Sequence, residues 1–121
     1  MISDILKLLS KDNLQVQALS QCYEMLDMCQ TMVKASVKSL RHSDTIDIAV
    51  DIYGLDKKIN RAERDVRKKV MTHLVISGGA ELAHGLALVS VVIDIERIGD
   101  YTKNIHALAR RHPARLDAGP L

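Results

Sequence analysis

The chain has 121 residues, 47% apolar and 26% charged, with 17 Lys and Arg against 15 Asp and Glu for a net charge of +2, no Phe or Trp, and only two prolines, Pro113 and Pro120. That length suits one domain with a single core, and the composition excludes low-complexity disorder and collagen-like repeats and argues against a turn-rich β-sandwich. Near-neutral charge gives no general case for DNA or an anionic membrane, and three Tyr as the only aromatics leave no stacking platform for single-stranded nucleic acid.

A proline-free run of 112 residues reads as long helices. A short segment, Ser3 to Leu9, carries Ile5, Leu6 and Leu9, with Ser3 or Asp4 as its cap. The opening Met1-Ile2-Ser3-Asp4 lacks the basic n-region of a signal peptide. The first long helix spans Asn13 to Arg41, with an apolar stripe of Leu19, Cys22, Leu26, Cys29, Val33, Val37 and Leu40. Cys22 and Cys29 stand about 10 Å apart along its axis, too far for a disulfide. Neither belongs to a CxxC, so both read as buried apolar side chains in a reducing compartment.

The second helix begins after the N-cap candidates Ser43 and Asp44. It carries Ile52, Leu55, Ile59, Ala62, Val66, Val70 and Leu74, and ends at Ser77-Gly78-Gly79. Its basic stretch, Lys57 to Lys69, is interleaved with Glu63 and Asp65 and reads as a solvated face. The third helix runs from Ala80 to Arg111, with Arg110 and Arg111 suiting its negative end and Pro113 stopping it. Its most apolar stretch, Leu86 to Ile93, is too short to span a membrane, so a cytoplasmic protein without membrane insertion is expected. Residues 1–112 form one helical domain and residues 113–121 a tail. Three helices of about 45 Å on short connections predict an all-α, antiparallel up-down-up three-helix bundle. Val91, Ile95, Ile98 and Ile105 make a second apolar stripe on helix three, which predicts pairing with a second copy.

On the same helix, Leu82, Leu86, Val89 and Ile93 form a line whose next members are Glu96 and Asp100, while Asp94 and Arg97 fall on the polar side. Two buried acids one turn apart require compensation, either a cation from another helix or a bound metal. Carboxylates at ExxxD spacing suit Mg, Mn or Fe. On helix two, Asp56, Asn60, Glu63 and Arg67 make a polar strip, so Asp56 and Asn60 face Glu96 and Asp100 across an antiparallel pair. The same spacing fits a partly exposed ion-pair strip in which Lys57, Arg61, Arg64 or Arg97 pairs the acids. Gly54 and Gly99, each within two residues of one of these acids, permit close helix approach or metal access.

The run Ile95-Glu96-Arg97-Ile98-Gly99-Asp100-Tyr101-Thr102-Lys103-Asn104-Ile105 resembles the ERIGD…NI signature of the PhoU family of phosphate-uptake regulators. Asp56-Lys57-Lys58-Ile59-Asn60 resembles that family's second motif on the preceding helix, and the likeness covers roughly residues 15–111. The resemblance implies a three-helix bundle with divalent or ferric ions (Fe, Mn, Mg or Zn) held at Glu96, Asp100, Asp56 and Asn60. It also implies a non-catalytic accessory regulator, whose partners are phosphate transporter components and a sensor histidine kinase. Family members typically carry two bundles in tandem, so a single one implies a homodimer, a piece of a longer chain, or a detached domain of a sodium–phosphate or other ion transporter. Asn60 is a neutral ligand, and Gly54-Leu55 stand where members often place a further acid.

Three other readings compete. His84-Gly85-Leu86 has a faint likeness to a histidine phosphotransfer motif, without the Lys expected after it. Glu81-x-x-His84 has the spacing of a di-iron carboxylate site, which needs two such pairs. A purely structural bundle that self-associates is the third. His42, His73, His106 and His112 lack motif partners and read as surface or boundary residues.

Overall fold

The computed structural model describes residues 13–42 and 51–111. They form three helices, α1 (Leu14–His42), α2 (Ile52–Ser77) and α3 (Leu82–Arg111), and no strand. The Ser3–Leu9 segment, the expected caps Ser43 and Asp44, and the tail 113–121 lie outside the described residues. Among those described, no helix is long and apolar enough to cross a membrane.

Local chemistry sets the helix ends. Asn13 caps α1, its Oδ1 accepting from the Val16 N–H at 2.9 Å. Asp51 caps α2, accepting from the Gly54 N–H at 2.9 Å. Gly54 therefore lies in the first turn of the described helix, where a Cβ would collide with the Asp51 carboxylate. The other end closes as foreseen. Gly78 adopts the left-handed conformation (φ 68°), and the Gly79 N–H reaches back to the Leu74 carbonyl at 3.0 Å. Glu81, at φ 65°, takes the same conformation without being glycine. Its carboxylate meets His73 Nε2 at 2.9 Å and ties the turn to α2.

Contacts between the helices fix the topology. Cys29 meets Ile95 and Ser36 meets Thr102, so α1 and α3 run in the same direction. Asp56 meets Lys103 while Leu74 lies against Gly85, so α2 runs opposite to α3. The fold is the expected up-down-up bundle.

Core faces follow a seven-residue rhythm. On α1 the buried positions are Gln15, Ala18, Cys22, Met25, Cys29, Met32, Ser36 and Ser39. The expected stripe is thus corrected: Cys22 and Cys29 are central, but Leu19 and Leu26 are exposed. On α2 the expectation holds, with Ile52, Ile59, Val66 and Val70 buried. On α3 the core face is Gly85, Val92, Ile95, Gly99, Thr102, His106 and Ala109. It runs between the two expected stripes, whose members Leu82, Leu86, Val91 and Ile98 are exposed. Small side chains at Ala18, Ser36, Gly85 and Gly99 let the backbones approach, while Met25 and Met32 fill the irregular space between them. His73 and His106 are buried, contrary to the surface reading, and His106 packs edge-on to Tyr53 at 5.3 Å between ring centroids.

Candidate functional site

The line from Leu82 through Leu86, Val89 and Ile93 to Glu96 and Asp100 is continuous, but it runs along the edge of α3 that borders α2. Glu96 and Asp100 are accordingly half-buried rather than part of the core. The buried acid is Asp56, 5% exposed on the core face of α2 between Ile52 and Ile59.

Asp56 organises the seam. Its Oδ2 accepts from Asn60 Nδ2 at 3.4 Å, one turn along α2, and from Lys103 Nζ at 3.3 Å, across on α3. Its Oδ1 is buried without a hydrogen-bond partner. Gly99 faces that atom: a Cβ built there would stand 3.6 Å from Oδ1 and 3.4 Å from Ile59 Cδ1. Lys103 Nζ also lies 3.7 Å from Asp100 Oδ1. Two carboxylates from different helices thus share one ammonium group. They hold its pKa above the ordinary lysine value, the hydrogen bond to Asp56 contributing most.

Glu96 completes the cluster. Loss of hydration raises its carboxyl pKa, followed by the hydrogen bond to Asp100 and the charges of Asp100, Glu63 and Asp56. Glu63, shielded beside this group, is held by Arg67 of its own helix at 3.1 Å. Cys29 reaches the site from α1, donating its thiol to the Ile95 carbonyl at 3.5 Å. Burial raises its pKa, and the nearby Asp56 charge raises it further.

The structure therefore gathers Asp56, Asn60, Glu96 and Asp100 at one seam. Sequence reasoning missed the cation. The pairing partner is Lys103 rather than Lys57, Arg61, Arg64 or Arg97, and Arg97 instead faces Asp94 at 3.6 Å on the exposed side. The missed signal was simple: Lys103 is the next member of the edge line after Glu96 and Asp100.

The oxygen donors suit a hard divalent ion in kind, and the orphaned Asp56 Oδ1 is an available ligand atom. They do not suit it in arrangement. Among the described residues no group of three or more His, Cys, Asp or Glu side chains is placed to hold a metal, and the Lys103 ammonium takes the space between Asp56 and Asp100. Glu81, half of the candidate di-iron pair, is engaged with His73 instead. A separate cavity of about 420 Å³ lies between the first turns of α1 and α3, lined chiefly by Val16, Leu19, Cys22, Leu88 and Val91. Its walls offer packing surface rather than chemistry.

The chain matches the model of the PhoU domain over residues 22–109. No curated protein and no solved structure matches it. The matched span covers most of the chain, from the third turn of α1 to the last turn of α3, with Asp56, Asn60, Glu96 and Asp100 inside it. The chain belongs to the PhoU domain family, a family of phosphate-transport regulators.

Proposed function

We propose that this chain is a non-catalytic accessory regulator of phosphate uptake. It acts by protein contact, associating with phosphate transporter components and damping a sensor histidine kinase when phosphate is plentiful. The observation that carries this reading is the family match over residues 22–109, supported by the charged seam around the buried carboxylate of Asp56. Placement in the cytoplasm, where such partners present their regulatory faces, belongs to the same proposal.

Pairing with a second copy is part of the reading. Both edges of α3 leave large apolar side chains uncovered, Leu82 and Leu86 on one and Val91 and Ile98 on the other. Met71 and Val75 leave further apolar surface exposed on α2. Apolar surface on two sides of one helix favours association.

The test is a phosphate-responsive reporter in the host cell, with and without the gene, together with affinity capture of the tagged chain. Loss of the gene is expected to leave the reporter on at high phosphate, and capture is expected to bring down transporter or kinase subunits. An unchanged reporter, with neither partner captured, would overturn the proposal.

A further inference from the structure

The groove between the first turns of α1 and α3 has no covering element among the described residues. Its walls are two apolar strips, Val16, Leu19 and Cys22 on α1 and Leu88 and Val91 on α3, around a volume of about 420 Å³. Val16, Leu19 and Val91 are each close to half exposed, and a contiguous apolar patch of this kind marks a surface that takes a partner. At the Asn13 end, Gln15 is buried, yet its Oε1 has no hydrogen-bond partner.

The chain itself holds a segment of matching pattern and length. Residues 1–12, outside the described ones, lead directly into Asn13, which lines the groove. Ile2, Ile5, Leu6 and Leu9 recur at spacings of three and four, so a helix there would carry one apolar stripe, with Ser3, Asp4 and Lys7 on the opposite side. Gln15 to Cys22, His84 to Val91, and Ile2 to Leu9 are each a separation of seven residues, about 10 Å of helix. Ser10, Lys11 and Asp12 remain as a link, within the roughly two to eight residues that join neighbouring helices in bundles.

We propose that the segment Ile2–Leu9 docks in this groove as a short further helix of the same chain, antiparallel to α1. Leu9 then lies over Val16, Leu6 over Leu19, and Ile2 toward Cys22 and Val91, while Ser3, Asp4 and Lys7 face water. The link passes the Asn13 end, where the Ser10 hydroxyl and the backbone N–H groups of the turn are at hand for Gln15 Oε1. The tether decides the occupant. A tethered segment acts at an effective concentration of about the millimolar range, so it outcompetes the same surface offered by a second molecule in dilute solution. Val91 is then covered from within the chain, and Leu82 and Leu86 are left for a second copy.

The experiment is nuclear magnetic resonance of the full chain with labelled Ile, Leu and Val methyl groups. The expected result is nuclear Overhauser cross-peaks from Leu9 to Val16, from Leu6 to Leu19 and from Ile2 to Val91. A mixture of differently labelled chains tells contacts within one molecule from contacts between two. Cross-peaks within one molecule support the proposal. Cross-peaks only between molecules overturn it in favour of exchange between copies, and their absence overturns it outright. Trypsin cleavage after Lys7 is the second readout. Leu19→Asp and Val91→Asp place a charge in the groove and leave the segment's own sequence unchanged. Each should speed cleavage by about tenfold or more, because burying an unpaired charge costs at least that ratio and cleavage follows the undocked fraction. Val75→Asp, at an exposed position of α2 outside the groove, should cleave as wild type does. Circular dichroism checks that each variant keeps its helices. Equal cleavage of all four proteins overturns the proposal. Should the groove variants fail to fold, the cross-peaks of wild type decide the matter. Neither readout depends on the reporter, so the regulatory reading stands or falls separately.

Discussion

Helix α3 meets its two neighbours through different chemistry. Toward α1 the contact is neutral. The Cys29 thiol and the Ser36 hydroxyl each donate to a carbonyl of α3, at 3.5 and 3.4 Å, and the surrounding side chains are Met25, Met32, Val92 and Ile95. Toward α2 the contact is ionic over half its length, through Asp56, Asn60, Glu63, Glu96, Asp100 and Lys103, and apolar over the other half, where Val70 and Leu74 press on Gly85. The neutral seam is sufficient to hold a helix. A buried ion pair is seldom better for stability than the apolar residues that could replace it. The charged half is therefore better explained by binding or switching than by folding.

That contrast is tested most severely at Ile59, which is fully buried and touches Gly99. Ile59→Ala should cost about 2–4 kcal/mol in urea denaturation, as buried isoleucine truncations do. A loss below about 1 kcal/mol would mean that the charged half is loosely packed and the comparison misdrawn.

The two buried glycines of α3 sharpen it next. A Cβ at Gly85 would approach Val70 Cγ1 to 3.0 Å and Leu74 Cδ1 to 3.1 Å, whereas at Gly99 the nearest atom is Ile59 Cδ1 at 3.4 Å. Gly→Ala gains about 1 kcal/mol of helix propensity at either site. At Gly85 overpacking of about 1–3 kcal/mol should outweigh that gain, and at Gly99 it should not. Gly85→Ala is expected to lower the melting temperature and Gly99→Ala to hold or raise it. The reverse order would place the tighter helix approach at the acidic end.

These seams were unequally legible in the sequence. The core face and C-terminal end of helix α2 were read correctly because its apolar residues occupy one narrow arc between charged flanks and a glycine pair marks its end, whereas its described start, capped by Asp51, lies well after the expected Ser43 and Asp44. Helices α1 and α3 are apolar over wide arcs, so periodicity alone leaves their rotation undetermined. Large residues drew the reading toward Leu19 and Leu26, or toward Leu82 and Leu86, while the packed faces use Ala18, Ser36, Gly85 and Gly99. Close approach selects small side chains, and a hydrophobicity pattern discounts them. The site residues were nonetheless found, because Asp56, Asn60, Glu96 and Asp100 lie at the border of two helices under either rotation. Burial was misassigned from Asp56 to the α3 pair, and His73 and His106 were missed because, although they continue the three-and-four spacing of the core faces, a polar side chain does not register in a hydrophobicity pattern.

The smallest expected effect concerns Glu96, and its sign is informative. Its carboxyl pKa in the folded protein is raised, chiefly by lost hydration and then by Asp100. The folded state therefore binds this proton more tightly than the unfolded chain does. Glu96 makes its full favourable contribution at pH values below the ordinary glutamate pKa, and that contribution is lost as pH rises through the raised folded value. Glu96→Gln removes the titration. The variant should gain on wild type as pH rises through this window, and the advantage should level off toward neutrality. Because Glu96 is half-exposed and screened by solvent, the plateau should stay within about 1 kcal/mol. Thermal melts of both proteins from mildly acidic to neutral pH measure the difference. A difference that is flat across the range would show that Glu96 is not repelled by its neighbours. The acids of the seam would then be compensated in pairs by Lys103 and Arg67, and the charged half of α3 would differ from the neutral seam in composition but not in cost.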